Sequence, residues 1–145
     1  MDQKCNTYSF ADMAVGMMEQ FECIITQEMQ DAFTGLSGDI NPMHIDNDFA
    51  NRWGGGQYRG RLVYGMLTAS FYSRLVGVYL PGEKCLFREC DVQWPKPVYI
   101  GDTLTVTGKV SEIDERIHTV KIKAFIRNQN GEKVSRATLT VGVLD

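Results

Sequence analysis

The chain has 145 residues, 43% hydrophobic and 23% charged, with a net charge of −3. This length fits a single domain over residues 1–145 with its own core, and the composition excludes a disordered chain. The balance of 15 basic to 18 acidic residues weighs against a nucleic-acid binder, which needs a basic face. Divided after Tyr72, the chain carries 9 acidic and 4 basic residues, then 9 acidic and 11 basic ones. The second part leaves room for a local cationic patch that could meet a phosphorylated ligand.

Cys5, Cys23, Cys85 and Cys90 form no Cys-x-x-Cys pair and no dense framework. The N-terminal MDQKCNTYSF lacks the apolar centre of a signal peptide. The longest apolar stretch, Val63 to Leu80, is interrupted by Arg74 and several hydroxyl residues, so it makes a poor membrane span. A soluble cytoplasmic protein with reduced thiols is expected.

In chain order, Phe21 to Ile25 reads as a strand. A helix follows, capped by Thr26, with Met29, Ala32, Phe33 and Leu36 at i, i+3, i+4 and i+7 and Gly38 at its exit. A polar segment, Asp39 to Asp48, is broken by Pro42. A short helix is predicted from Asp46 to Trp53, ended by Gly54-Gly55-Gly56. From Tyr64 to Leu80 the sequence YGMLTASFYSRLVGVYL is apolar or small on all sides, with Arg74 its only charge. A helix of this kind must be enclosed by other structure.

Four strands are then predicted: Cys85 to Trp94, Thr103 to Ile113, His118 to Arg127 and Val134 to Leu144. Leu104, Val106 and Val110 share one face. Val120, Ile122, Ala124 and Ile126 alternate with Lys121, Lys123 and Arg127, and Ala137, Leu139, Val141 and Val143 alternate with Arg136, Thr138 and Thr140. This period of two with one wet face marks an antiparallel sheet covered on one side. Asn130-Gly131 is a hairpin turn signal. One enclosed helix and a run of antiparallel strands give an α+β fold, a curved sheet wrapped around a central helix, which is the hot-dog architecture.

The segment Ser37-Gly38-Asp39-Ile40-Asn41-Pro42-Met43-His44 gathers a carboxylate, an amide and an imidazole. Pro42 fixes one dihedral and pushes Asn41 toward an extended conformation, giving a stiff bend that can aim Asp39 and His44 at one point. A carboxylate and an imidazole sharing a water form an acid–base pair. On spacing alone, the plainer reading is that Asp39 and Asn41 are turn formers after a helix, with His44 incidentally nearby. Gly65, at the start of the central helix, offers an unpaired N–H in a positive field that a ligand carbonyl can approach closely. Tight packing at a helix start is the plainer explanation for that glycine. His44, His118 and the scattered cysteines have no metal-site spacing. Gly54-Gly55-Gly56 lacks a phosphate-loop ending and reads as a connector, and no Gly-x-Ser-x-Gly elbow occurs.

FTGLSGDINPMHIDNDFA resembles the hydratase motif of the MaoC-like, (R)-specific enoyl-CoA hydratase family. The likeness continues through GRLVYGMLTASFYSRLVG and KPVYIGDTLTV, and spans roughly Thr26 to Val143. It implies a hydratase/dehydratase that adds water reversibly across the 2,3 double bond of a trans-2-enoyl-CoA or carrier-protein thioester. The product is the (R)-3-hydroxyacyl thioester, and no metal or redox cofactor is used. At matched positions it implies Asp39 and His44 as the acid–base pair, Gly65 as the N–H that holds the thioester carbonyl, and Asn41 and Ser73 as supporting residues. Tyr64 stands where the family often has His, and Trp53 to Arg61 is longer and richer in glycine than usual. The resemblance also implies a homodimer with substrate between subunits. Arg59, Arg61, Lys96 and Arg74 are the candidates for contacting CoA. A thioesterase on the same fold, or a non-catalytic acyl-thioester-binding partner subunit, are the alternative expectations.

Overall fold

The computed structural model describes residues 4–145. The chain forms β1 (Met18–Ile24), α1 (Gln27–Ser37), α2 (Pro42–Ile45), α3 (Asn47–Trp53), α4 (Gly65–Arg74), β2 (Cys85–Gln93), β3 (Thr103–Asp114), β4 (Thr119–Arg127) and β5 (Lys133–Val143). All strand pairs are antiparallel, and the sheet order is β1-β3-β4-β5-β2. Strand periodicity carries directly into burial. Leu104, Val106, Val110, Val120, Ile122, Ile126, Leu139 and Val141 are fully enclosed, with Ala124, Ala137 and Val143 beside them on the same inner face. The β4–β5 hairpin turns at Asn130-Gly131, where Gly131 adopts a φ of 74° that favours glycine.

α4 packs against the inner face through Leu67, Phe71 and Tyr72, and the turn that continues it does so through Leu75 and Val76. Gly108 on β3 makes this approach possible: a Cβ there would stand 2.6 Å from Cδ2 of Leu75. Inside the interface the Tyr72 hydroxyl donates to Oγ of Ser135 at 2.8 Å.

Three elements differ from the expectation. The central helix is not one α-helix from Tyr64 to Leu80: it is α-helical to Arg74 and then π-helical over Leu75–Tyr79, where the Leu80 N–H reaches back to the Leu75 carbonyl at 2.9 Å. Nor is it enclosed on all sides, since Met66, Ser70 and Ser73 form an exposed stripe at helical spacing. In α1 only half of the apolar stripe faces inward: Met29 and Phe33 are partly buried against the core, and the other two residues are not. Leu36 is 84% exposed, Ala32 is also exposed, and the helix's one buried side chain is Gln30. The reason is local: this face of α1 meets the main-chain carbonyls of residues 44 and 62, which an amide satisfies and a leucine cannot. The polar segment after α1 also contains a full helical turn, α2, ahead of the predicted short helix.

Candidate active site

Local capping builds the bend that carries Asp39 and His44. Thr26 caps α1 by accepting from Met29 N–H at 3.2 Å, and Gly38 ends the helix in the left-handed region with φ 72°. The chain then turns. Asn41 N–H donates to Oδ1 of Asp39 at 3.1 Å, and Oδ1 of Asn41 accepts from Met43 N–H at 2.9 Å, with Pro42 opening the single turn of α2. Asn41 is therefore a capping residue, and one oxygen of Asp39 is used by the turn. The other oxygen is not. Oδ2 of Asp39 lies 4.0 Å from Nε2 of His44.

The imidazole is fixed from behind. Nδ1 of His44 is 2.9 Å from the Leu62 carbonyl oxygen, and since a carbonyl can only accept, Nδ1 carries the hydrogen. Neutral His44 thus presents a bare Nε2 toward Asp39. The 4.0 Å gap is too long for a direct hydrogen bond and suits a water held by both groups. Such a water donates to both acceptors and turns its lone pairs outward. The Asp39 side chain is 47% exposed and the His44 side chain 20%, so the pair sits at an opening rather than in the core.

Tyr64, the last residue before α4, is 2% exposed and forms the wall of the site. Its ring stacks on His44 with centroids 4.0 Å apart and contacts Phe33 at 4.8 Å. Its hydroxyl donates to the main-chain carbonyl of Asp39 and lies 2.8 Å from Oγ1 of Thr34.

Gly65 and His44 border one cavity of about 350 Å³, together with Tyr58, Thr68, Trp94 and Lys96. Nothing in the sequence had pointed to Trp94. Its indole N–H donates to the Gly65 carbonyl at 2.9 Å, and the ring lies so close that a Cβ on residue 65 would stand 3.0 Å from it. Packing by Trp94 is thus a structural reason for glycine here, alongside the N–H that α4 leaves unpaired in its first turn.

The structure does not bring every sequence candidate to this cavity. Ser73 lies two helical turns beyond Gly65 on the exposed stripe. The Arg74 guanidinium sits 4.2 Å over the Phe21 ring. Arg59 and Arg61 line a separate cleft of about 530 Å³ with Gln27, Asn47 and Tyr99. There Arg59 lies 4.2 Å over the Tyr99 ring and 3.6 Å from Asp102. Lys96 borders the His44 cavity and pairs with Glu132 at 2.6 Å. His118 stacks on Phe10 at 4.3 Å and pairs with Asp145 at 3.1 Å, away from the site. Among the described residues no group of three His, Cys, Asp or Glu is placed to hold a metal ion.

An antiparallel sheet wrapped on a central helix, with a carboxylate–imidazole pair beside that helix's N-terminus, defines a hot-dog protein. The family model described as "MaoC like domain" matches residues 14–131, and the chain belongs to that family. It is 33% identical over 102 residues to an (R)-specific enoyl-CoA hydratase of Rhodospirillum rubrum, covering 70% of this chain and 69% of that one. It is 34% identical over 96 residues to the (R)-specific enoyl-CoA hydratase of Aeromonas caviae, covering 65% and 69%. Its fold matches that of an R-hydratase from Pseudomonas aeruginosa with a TM-score of 0.87 and 25% identity, over 97% of this chain and 88% of the other.

Proposed function

We infer that the chain is a hydro-lyase acting on acyl thioesters: it adds water reversibly across the 2,3 double bond of a trans-2-enoyl thioester to give the (R)-3-hydroxyacyl thioester. The observation that carries this is Nε2 of His44 set 4.0 Å from Oδ2 of Asp39, with Nδ1 committed to the Leu62 carbonyl. A water bound between them attacks C3 as one of the two groups takes its proton. The pair then returns a proton to C2, and the charge that develops on the thioester oxygen meets the Gly65 N–H at the start of α4. Adding water raises the oxidation number of C3 by one and lowers that of C2 by one, so the reaction is redox-neutral overall and calls for no redox cofactor, and the N–H supplies the electrophile that polarises the thioester.

The experiment is an absorbance assay with enoyl-CoA substrates of increasing chain length. Loss of the conjugated double bond without release of free thiol supports the reading. Thiol release with the double bond intact replaces it with a thioesterase.

Two further parts of the proposal concern partners. CoA phosphates are assigned to Arg59 and Arg61 in their shared cleft and to Lys96 at the cavity rim, and Arg74, turned to Phe21, is set aside. Exposed charge attraction weakens with salt, so CoA affinity that is the same at low and high ionic strength contradicts this. A homodimer is proposed because β2 is a nine-residue edge strand whose side chains are largely exposed, and such edges are covered in natural proteins. A fully active monomer by light scattering would overturn it. A cytoplasmic location is also proposed, supported by the four free cysteines. Among the described residues no helix is long and apolar enough to cross a membrane.

A further inference from the structure

We propose that Gln30 is a positioning residue that sets the tautomer and direction of the His44 imidazole, a role that rests on the acid–base reading of His44. Gln30 is fully buried, on a helix whose other side chains are at least partly open to solvent. Its amide has two N–H groups, and both are used: Nε2 donates to the His44 carbonyl at 3.1 Å and to the Leu62 carbonyl at 3.0 Å. The amide oxygen pays for that arrangement, because Oε1 is the one buried side-chain polar atom without a hydrogen-bond partner among the described residues. An apolar side chain of the same size would fill this space with no stranded oxygen. What the amide adds is the two donated bonds, and both end on groups that govern His44.

The Leu62 carbonyl is the junction. It accepts from Nδ1–H of His44 at 2.9 Å and from Gln30 at 3.0 Å, so each lone pair has one donor. With Gln30 holding one side, the carbonyl cannot swing and its remaining lone pair points at the ring. The second bond, to the His44 carbonyl, ties the main chain that carries the ring to the same amide. The imidazole is then held at its backbone and at Nδ1, and Nε2 stays bare and aimed at Oδ2 of Asp39. Flipping the amide would bring Oε1 against two carbonyl oxygens, so its orientation is unique. The fold does not depend on this clasp, since Leu62 N–H also donates to the Met43 carbonyl at 2.9 Å and joins the two segments through the backbone.

The test uses the full chain and Gln30→Met, which keeps the volume and removes both donors and the stranded oxygen. The chain has only two histidines, so nitrogen-15 NMR reads the tautomer of each one directly. In the unaltered protein neutral His44 should carry its hydrogen on Nδ1. In Gln30→Met the Nε2–H form should become substantially populated. kcat should fall by about ten- to a hundredfold, as small misplacements of catalytic groups do, with KM changed by less than about twofold. A folded Gln30→Met protein with the same His44 tautomer and full kcat overturns the proposal. A second measurement needs no variant: the Gln30 side-chain amide hydrogens of the unaltered protein should exchange slowly with solvent, and exchange at the rate of an exposed glutamine also overturns it. The tautomer is read without substrate. A chain that shows the tautomer change but hydrates no enoyl thioester therefore upholds the Gln30 role and removes the functional reading alone.

Discussion

The rings of Tyr64 and His44 are stacked, with centroids 4.0 Å apart and planes 29° from parallel. The same tyrosine donates its hydroxyl hydrogen to the Asp39 carbonyl, so one buried side chain touches both members of the proposed acid–base pair. Tyr64 reaches across the site to the turn that carries the carboxylate.

Tyr64→Phe separates these two contacts, because it keeps the stacked ring and removes only the hydroxyl. The Asp39 carbonyl and Oγ1 of Thr34 then lose a partner, at a cost to stability of about 1 kcal/mol. With the Asp39 turn less firmly held, kcat should fall by about tenfold, while a thermal melt shows only the small loss. Unchanged kcat would reduce Tyr64 to a packing residue.

Gly65→Ala tests the start of α4. Alanine is the better helix residue by about 1 kcal/mol in a helix interior, so folding should not suffer greatly. The new Cβ, however, meets the Trp94 indole at 3.0 Å and displaces it from the cavity wall. Trp94 is one of two tryptophans, so its fluorescence should shift. kcat/KM should fall by at least about tenfold through lost access to the N–H, within the range of a weakened oxyanion contact. Wild-type kcat/KM with a shifted indole spectrum would mean that the Gly65 N–H does not touch substrate.

Gly108→Ala is the opposite case, a change in the core away from the site. Its Cβ would lie 2.6 Å from Cδ2 of fully buried Leu75 and 3.1 Å from Cγ2 of Ile122. Overpacking of this kind costs about 1–3 kcal/mol, which for a chain of this size lowers the melting temperature by roughly 3–10 °C. Turnover per folded molecule should stay near normal. An unshifted melting curve would show that the helix does not press on the sheet at this point.

The sheet could be read from the sequence because one buried face imposes a period of two. Val120, Ile122, Ala124 and Ile126 on β4 and Ala137, Leu139, Val141 and Val143 on β5 are buried as their alternation requires. Helix faces were harder. Leu36 matched the apolar stripe of α1 and is exposed, while Gln30, a polar residue outside that stripe, is buried. Its burial depends on carbonyls 14 and 32 residues away along the chain, which no local pattern reports. Trp94 escaped notice for the same reason: it lies just past the end of β2, yet it bonds to the carbonyl of Gly65, 29 residues earlier. The site motif was legible because a short capped turn brings Asp39 and His44 together. The turn-former reading also holds, for Asn41 and for one oxygen of Asp39, and the two readings divide the carboxylate between them.

The most direct test of the account is the kcat of Asp39→Asn. The amide oxygen keeps the bond from Asn41 N–H, and the amide nitrogen replaces the free oxygen that faces His44. The fold should therefore be retained while the proton acceptor is lost. Acid–base catalysis contributes about 100- to 10,000-fold, so kcat should fall by at least about a hundredfold. Adding His44→Ala should cost little more, because the two groups act on one water as a unit. A folded Asp39→Asn protein that keeps more than about a tenth of the original kcat would contradict an acid–base role for Asp39, and with it the hydratase mechanism built on this pair.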